Sequence, residues 1–131
     1  MISKKTVLVI DDEEPYREFL HNALEDQGYR VIVAASAKQG LKAMAGAAID
    51  LVITDMMMPD MRGSELVAYL RNHGSKVKIL AMTGHPAGEA ALAASEAFDV
   101  DGVLYKPFTA KEIISVIEGL LLRNKDAIRA I

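Results

Sequence analysis

Four stretches of the sequence are apolar over most of their length, and each leads into polar residues. They cover residues 7–10, 49–54, 77–82 and 102–105, and at or directly after their ends stand Asp11 and Asp12, Asp55, Thr83 and Lys106. Strands buried on both faces of a parallel sheet read as continuous apolar runs. Because such a sheet binds ligands at the carboxyl ends of its strands, we expect these five side chains to lie close together.

Helical patterns alternate with these runs. A further strand is predicted at 29–34, and helices are predicted after Pro15, after Ser36, around Leu66, over 87–98 and after Thr109. Ser36-x-x-Gln39 and Thr109-x-x-Glu112 have the spacing of capping boxes. Alternating strands and helices indicate the α/β class, with parallel strands and helices on both faces of the sheet. The sequence therefore predicts a (βα)5 domain.

Length and composition narrow the range of functions. The 131 residues suit a single domain, and the absence of cysteine leaves oxygen and nitrogen as the available metal ligands. No long apolar stretch precedes the first strand, so neither a signal peptide nor a membrane span is expected, and we expect a cytoplasmic location. The net charge of -3 comes without a cluster of Lys and Arg, which argues against direct nucleic-acid binding.

The side chains at the strand ends have a chemistry of their own. Three neighbouring carboxylates repel one another, so a sequence that places Asp11, Asp12 and Asp55 together favours a bound cation. Mg²⁺ is the expected ion because it accepts carboxylates, phosphate oxygens and water. Asp55 can act as a carboxylate nucleophile, with Lys106 as a cation and Thr83 as a hydroxyl donor. Taken singly, each residue also fits a turn, a helix cap or an exposed surface.

Four motifs occur in a fixed order along nearly the whole chain. Together they resemble the receiver domain of two-component response regulators, in particular the single-domain chemotaxis type. The motifs are Ile10-Asp11-Asp12-Glu13, the stretch from Ile53 through Asp55 and Pro59 to Gly63, Ala81-Met82-Thr83-Gly84, and Tyr105-Lys106-Pro107-Phe108. Each motif alone is common, whereas all four in this order are specific.

The resemblance implies a fold and a set of site residues. The fold is flavodoxin-like, a doubly wound five-stranded parallel sheet with strand order 2-1-3-4-5. Asp55 is the implied phosphoacceptor. Asp12 and Asp55 are implied to bind Mg²⁺ together with the backbone carbonyl of Met57, while Asp11 assists directly or through water. Thr83 and Lys106 are implied to contact the phosphoryl group, and the Lys106-Pro107 bond is implied to be cis.

The implied function is a phosphorylation switch rather than that of a conventional enzyme, although autophosphorylation and autodephosphorylation belong to its chemistry. A histidine kinase or histidine phosphotransfer protein is the implied donor, and the effector or output domain is not identified by the sequence. A homodimer through the last two helices and the last strand is left open. We assign residues 1–124 to the receiver domain and residues 125–131 to a helix extension or the start of a linker.

Two positions depart from the family pattern. Val103 stands where an aromatic residue is usual, and Arg62 stands where an acidic or amide residue is frequent.

A phosphohydrolase with an aspartate nucleophile would carry a second carboxylate two residues after Asp55, but Met57 occupies that position. A degenerate receiver is disfavoured by the complete set of site residues, and flavin binding by the absence of a suitable phosphate loop.

Overall fold

Strands and helices alternate along the chain in the computed structural model, which describes residues 4–56, 60–84 and 100–122. The elements are β1 (Thr6–Ile10), α1 (Glu14–Asp26), β2 (Arg30–Ala34), α2 (Ala37–Gly46), β3 (Leu51–Asp55), α3 (Gly63–Asn72), β4 (Lys78–Thr83), β5 (Gly102–Tyr105) and α4 (Ala110–Leu122). The five strands are parallel in the order β2-β1-β3-β4-β5. This confirms the predicted class and strand order. The helix predicted over 87–98 and the proposed boundary before residue 125 lie outside the described residues.

Both faces of the sheet are buried under helices. Alternate residues of β1 point to opposite faces, so that Val7 and Val9 contact one core cluster while Leu8 and Ile10 contact the other. The first cluster contains residues of α1 and α4, and the second contains residues of α2 and α3. All five residues of β1 and of β3 are buried, which explains why these strands read as continuous apolar runs.

The two predicted capping boxes are present, with one difference. In the box before α4, the Thr109 hydroxyl accepts a hydrogen bond from the Glu112 N–H at 3.1 Å, and the Glu112 carboxylate accepts one from the Thr109 N–H at 3.0 Å. In the box before α2, Ser36 accepts from the Gln39 N–H at 3.2 Å. The Gln39 side chain, however, accepts from the Ala35 N–H at 3.0 Å, one residue earlier than the motif requires.

An ion pair lies at the amino ends of β4 and β5, opposite the end of the sheet that carries the predicted site. Arg71 donates hydrogen bonds to the carbonyl of Val77 at 2.8 Å and to the carboxylate of Asp101 at 3.2 Å. The same Asp101 oxygen accepts from the Ile79 N–H at 2.8 Å. These contacts fix the starts of β4 and β5 relative to each other. None of the helices in the described ranges combines the length and hydropathy needed to cross a lipid bilayer.

Candidate functional site

The strand register brings the predicted site residues to one edge of the sheet. Ile10 pairs with Thr54, so the residues that follow them, Asp11 and Asp55, stand at the same level of neighbouring strands. On the other side, Thr83 pairs with Tyr105 and accepts a 2.7 Å hydrogen bond at its carbonyl from the N–H of Lys106. Asp11, Asp55 and Thr83 are all buried, with exposed fractions of 0%, 6% and 1%.

The ammonium of Lys106 lies at the centre of this group. Its Nζ donates to Asp11 Oδ2 at 2.8 Å and to Asp55 Oδ2 at 2.9 Å, and Glu13 Oε1 lies 3.4 Å away. The Lys106 side chain is only 7% exposed, and the Lys106-Pro107 peptide bond is cis, as the resemblance implied. Burial by itself would lower the pKa of the ammonium, but hydrogen bonds to Asp11 and Asp55 raise this pKa above its usual value.

Asp11 is fully buried and fixed from three directions. Its Oδ1 accepts from the Glu13 N–H at 2.9 Å, its Oδ2 accepts from Lys106, and its backbone carbonyl accepts from Arg17 Nη1 at 2.7 Å. Loss of hydration on burial raises the pKa of the Asp11 carboxyl, and its hydrogen bonds to Lys106 and to the Glu13 N–H offset only part of the rise. This carboxylate is therefore held in one orientation toward the site.

Four carboxylates, rather than the predicted three, gather beside Lys106. One ligand atom from each of Asp11, Asp12, Glu13 and Asp55 lies within 4.8 Å of the others. At that separation two carboxylates repel by about 3.5 kcal/mol at an effective dielectric constant near 20. A single ammonium cannot balance four such charges. A donor set made only of oxygen suits a hard divalent cation such as Mg²⁺, so the residues present fit the implied metal.

Thr83 carries a polar atom that has no hydrogen-bond partner among the described residues. Its Oγ1 is buried, and no described donor or acceptor lies within hydrogen-bonding reach. A buried hydroxyl without a partner is uncommon and costs free energy. The position of Thr83 beside the strand that ends in Asp55 makes this hydroxyl available to an oxygen-bearing ligand.

A cavity of about 440 Å³ opens over the site. It is lined by Asp12, Glu13, Tyr16, Asp55, Gly84, Lys106 and Pro107. Gly84 allows Lys106 to lie across it, because a Cβ at Gly84 would stand 2.9 Å from Lys106 Cβ. The space is large enough for a phosphoryl group and is lined by both anionic and cationic side chains.

Two residues that follow Asp55 in the chain, Asp60 and Gly63, make close contacts with other parts of the domain. Gly63 packs so closely that a Cβ there would lie 2.7 Å from Met56 Cα and 2.8 Å from the carbonyl oxygen of Asp55. The Asp60 carboxylate accepts from the Ala37 and Lys38 N–H groups at the start of α2, at 3.4 and 3.3 Å. Met57, whose carbonyl was implied as a metal ligand, lies outside the described residues.

Three contributors to the site were not identified from the sequence. Glu13 was not counted with the site carboxylates because it stands at the start of α1, where an acidic residue is common. Arg17 and Tyr16 contact Asp11 and Lys106 through side chains projecting from α1. One signal in the sequence could have identified Tyr16. It follows the Asp pair closely, and the first turn of a helix that follows β1 stands above the strand ends.

Val103, which stands where the family pattern has an aromatic residue, is half-buried.

Comparison with known proteins identifies the family. A model of the response regulator receiver domain family matches residues 7–118. The chain is 30% identical over 130 residues to a probable transcriptional regulatory protein of Picosynechococcus, covering 94% of this chain and 51% of that protein. It is 33% identical over 118 residues to the response regulator MprA of Mycolicibacterium vanbaalenii, covering 90% of this chain and 51% of that protein. The chain thus spans about half the length of these curated relatives.

A solved structure agrees with this assignment. The chemotaxis protein CheY4 of Vibrio cholerae superposes with a TM-score of 0.84 at 29% identity, covering 91% of this chain and 100% of that one. The fold, the family match and the acidic residues beside a buried lysine point the same way. The chain belongs to the receiver domains of two-component response regulators.

Proposed function

We propose that this domain accepts a phosphoryl group on Asp55 in a reaction that depends on Mg²⁺. The observation that carries the proposal is the position of the Lys106 ammonium, 2.9 Å from Asp55 Oδ2 and 2.8 Å from Asp11 Oδ2. A cation at that place can meet the oxygens of a phosphoryl group bound to Asp55. The Thr83 hydroxyl, which has no hydrogen-bond partner among the described residues, supplies a donor for the same group.

Asp12 and Asp55, with the backbone carbonyl of Met57, are the proposed metal ligands, and Asp11 assists directly or through water. Glu13 adds a fourth carboxylate to the same cluster. A bound Mg²⁺ would offset the negative charge of the carboxylates and of the incoming phosphoryl oxygens. The part played by the chain's own residues is to hold the nucleophile, the ammonium and the hydroxyl in place.

In the proposed reaction, an oxygen of Asp55 forms a bond to phosphorus while the bond from phosphorus to a histidine nitrogen of the donor breaks. The donor imidazole leaves with the electron pair of that bond. Lys106 exchanges its hydrogen bond with Asp55 for one with a phosphoryl oxygen, and Thr83 donates to another. Attack of water on phosphorus later returns Asp55 to a carboxylate and releases phosphate, which is the proposed autodephosphorylation.

The donor is proposed to be a histidine kinase or a histidine phosphotransfer protein. The proposal includes a cytoplasmic location and a downstream partner or output domain that reads the phosphorylated surface. A homodimer through the last two predicted helices and the last strand is left to experiment. Residues 1–124 are proposed as the receiver domain.

The test is phosphorylation by acetyl phosphate in the presence of Mg²⁺, followed by intact mass spectrometry. We expect the wild-type protein to gain one phosphoryl group and Asp55→Asn to gain none, because the amide is not a nucleophile of comparable strength. Chelation of Mg²⁺ should suppress the gain in the wild type. Undiminished incorporation into Asp55→Asn would contradict the proposal.

Asp50→Asn is the matched control. Asp50 precedes β3 at the edge of the sheet away from the site, where its carboxylate accepts a 2.8 Å hydrogen bond from the Thr6 N–H. The substitution removes the same charge and keeps an acceptor oxygen. We expect this variant to be phosphorylated like the wild type, so that any effect of Asp55→Asn is assigned to the site.

A further inference from the structure

The ring of Tyr16 contacts the Lys106 ammonium of the candidate site. Tyr16 stands in the first turn of α1, and Lys106 Nζ lies over its ring, 4.0 Å from the centroid. We propose that Tyr16 is a positioning residue, whose ring face holds the Lys106 ammonium in place while its hydrogen bonds pass from carboxylates to a phosphoryl group. The inference rests on the proposed function and assigns a role to a residue outside the charged set.

An ammonium has three N–H donors, and carboxylates surround the one at Lys106. Asp11 and Asp55 accept at 2.8 and 2.9 Å, and Glu13 lies at 3.4 Å. When Asp55 is phosphorylated, at least one of these bonds must be exchanged. The electron-rich face of an aromatic ring also attracts a cation, but the ring is not one of the carboxylates whose hydrogen bonds are exchanged. The contact with Tyr16 can therefore persist throughout the exchange.

The ring also restricts the access of water to the ammonium. Tyr16 lines the cavity above Asp55, and the Lys106 side chain is only 7% exposed. A lysine side chain is long and flexible, and an ammonium in contact with water is strongly hydrated. A ring that covers one side of Nζ restricts both the motion of the lysine side chain and the hydration of its ammonium. Its expected effect is to keep Lys106 directed at the phosphoryl group rather than at solvent.

Aromatic packing fixes the ring itself. The Tyr16 and Phe108 rings lie 6.0 Å apart between centroids with a tilt of 52°, and Phe108 is two residues past Lys106. Phe19 packs on the same Phe108 ring at 6.0 Å with a tilt of 42°. Tilted pairs at this distance are favourable. Phe19 thus shares the Phe108 contact of Tyr16 without lining the cavity or touching the ammonium, and this difference supplies a control.

The first test compares phosphorylation rates with acetyl phosphate as the donor. Tyr16→Leu keeps apolar bulk but removes the ring, Tyr16→Phe keeps the ring, and Phe19→Leu removes only a contact with Phe108. We expect Tyr16→Leu to lower the apparent second-order rate constant by about 2- to 30-fold, the range that corresponds to a cation–π contact. Tyr16→Phe and Phe19→Leu should remain near the wild-type rate. Circular dichroism verifies that each variant is folded.

The second test needs neither metal nor donor. The Lys106 side-chain protons next to Nζ lie over an aromatic ring, so their NMR signals should be shifted upfield by its ring current. We expect the shift to remain in Tyr16→Phe and Phe19→Leu and to disappear in Tyr16→Leu. Loss of the shift together with slower phosphorylation supports the positioning role, because a general loss of packing would also slow Phe19→Leu.

Three outcomes would overturn the inference. A wild-type protein that accepts no phosphoryl group removes the proposed function and this inference with it. If the wild type reacts and Tyr16→Leu keeps pace with it, the inference alone fails. If Tyr16→Phe is as slow as Tyr16→Leu, the hydroxyl and not the ring face is responsible, and the positioning role assigned here is wrong.

Discussion

The acidic cluster predicts that removing one carboxylate will stabilise the metal-free protein. Asp12 is the best position for this test because it is exposed and, among the described residues, has no hydrogen-bond or ion-pair partner that would be lost. Asp11, in contrast, holds Lys106 and the Glu13 N–H. Asp12→Asn keeps the size and polarity of the side chain while it removes one of four neighbouring negative charges.

The magnitude follows from the distances. Two unit charges 4.8 Å apart repel by about 0.9 kcal/mol in water and about 3.5 kcal/mol at an effective dielectric constant of 20. Asp12 has three neighbouring carboxylates, and the Lys106 ammonium, which bonds Asp11 and Asp55 and lies 3.4 Å from Glu13, offsets part of their repulsion. Because Asp12 is exposed, the lower value applies, and we expect the free energy of unfolding to rise by about 1–2 kcal/mol. This corresponds to a rise in Tm of roughly 3–10 °C.

Magnesium should reverse the order of stability. A ligand that binds only the folded state stabilises it by about 2.7 kcal/mol at 100 times its Kd. The wild type should gain this stabilisation at lower Mg²⁺ concentration than Asp12→Asn, which has lost a proposed ligand. Urea denaturation at low ionic strength, first with chelator and then with increasing Mg²⁺, should therefore give two stability curves that cross.

A second variant controls for net charge. Glu18→Gln removes one negative charge from an exposed position of α1 that is not part of the acidic cluster. Its stability should stay within about 0.5 kcal/mol of the wild type at every Mg²⁺ concentration. The reasoning is refuted if Asp12→Asn is less stable than the wild type in chelator, or if the two proteins gain equally from Mg²⁺.

Two further substitutions test the packing around the site. Gly63→Ala should destabilise the protein by about 1–3 kcal/mol in urea denaturation, because its Cβ would meet the backbone of Met56 and Asp55. The control is Gly119→Ala, which has nothing within 4 Å of its Cβ and should be neutral or stabilising by up to about 1 kcal/mol. Equal effects of the two substitutions would contradict this account. Thr83→Val should stabilise the metal-free protein by about 1 kcal/mol, since the buried hydroxyl has no partner among the described residues. A clear loss of stability in Thr83→Val would mean that the hydroxyl is bonded in solution.

The sequence was sufficient for the sheet and for the charged set because both follow from position along the strands. Continuous apolar runs indicate strands buried on both faces, and the residues after them meet at one edge. Asp11, Asp55, Thr83 and Lys106 were placed together on that basis, and the structure brings them together. Predicted strand ends lie within two residues of the observed ones, and the strand predicted at 102–105 has the observed bounds. The strand predicted at 49–54 is observed at Leu51–Asp55, because Asp50 exchanges hydrogen bonds with Thr6 before the strand begins.

The contacts that α1 makes with the site could not be predicted from the sequence. Which side chains of its first turn lean over the strand ends depends on where the helix begins and on its tilt against the sheet. Glu13 caps that helix without a side-chain hydrogen bond and is directed toward Lys106 instead. The ring of Tyr16, which packs beside Phe108, lies under the Lys106 ammonium. The pattern of residue types does not specify where the helix begins or how it is tilted against the sheet.

The hydrogen bond between Lys106 and Asp11 joins residues 95 positions apart in the chain. During synthesis, the acidic residues emerge from the ribosome with the first three strands, well before the lysine that donates hydrogen bonds to Asp11 and Asp55. A nascent chain that ends before β5 thus carries the proposed nucleophile, Asp55, without the ammonium of Lys106. Non-local contacts of this kind form late, since a long loop must close before they are made. On the proposed function, the site is therefore complete only when the whole sheet has been assembled, and a chain truncated before β5 should accept no phosphoryl group.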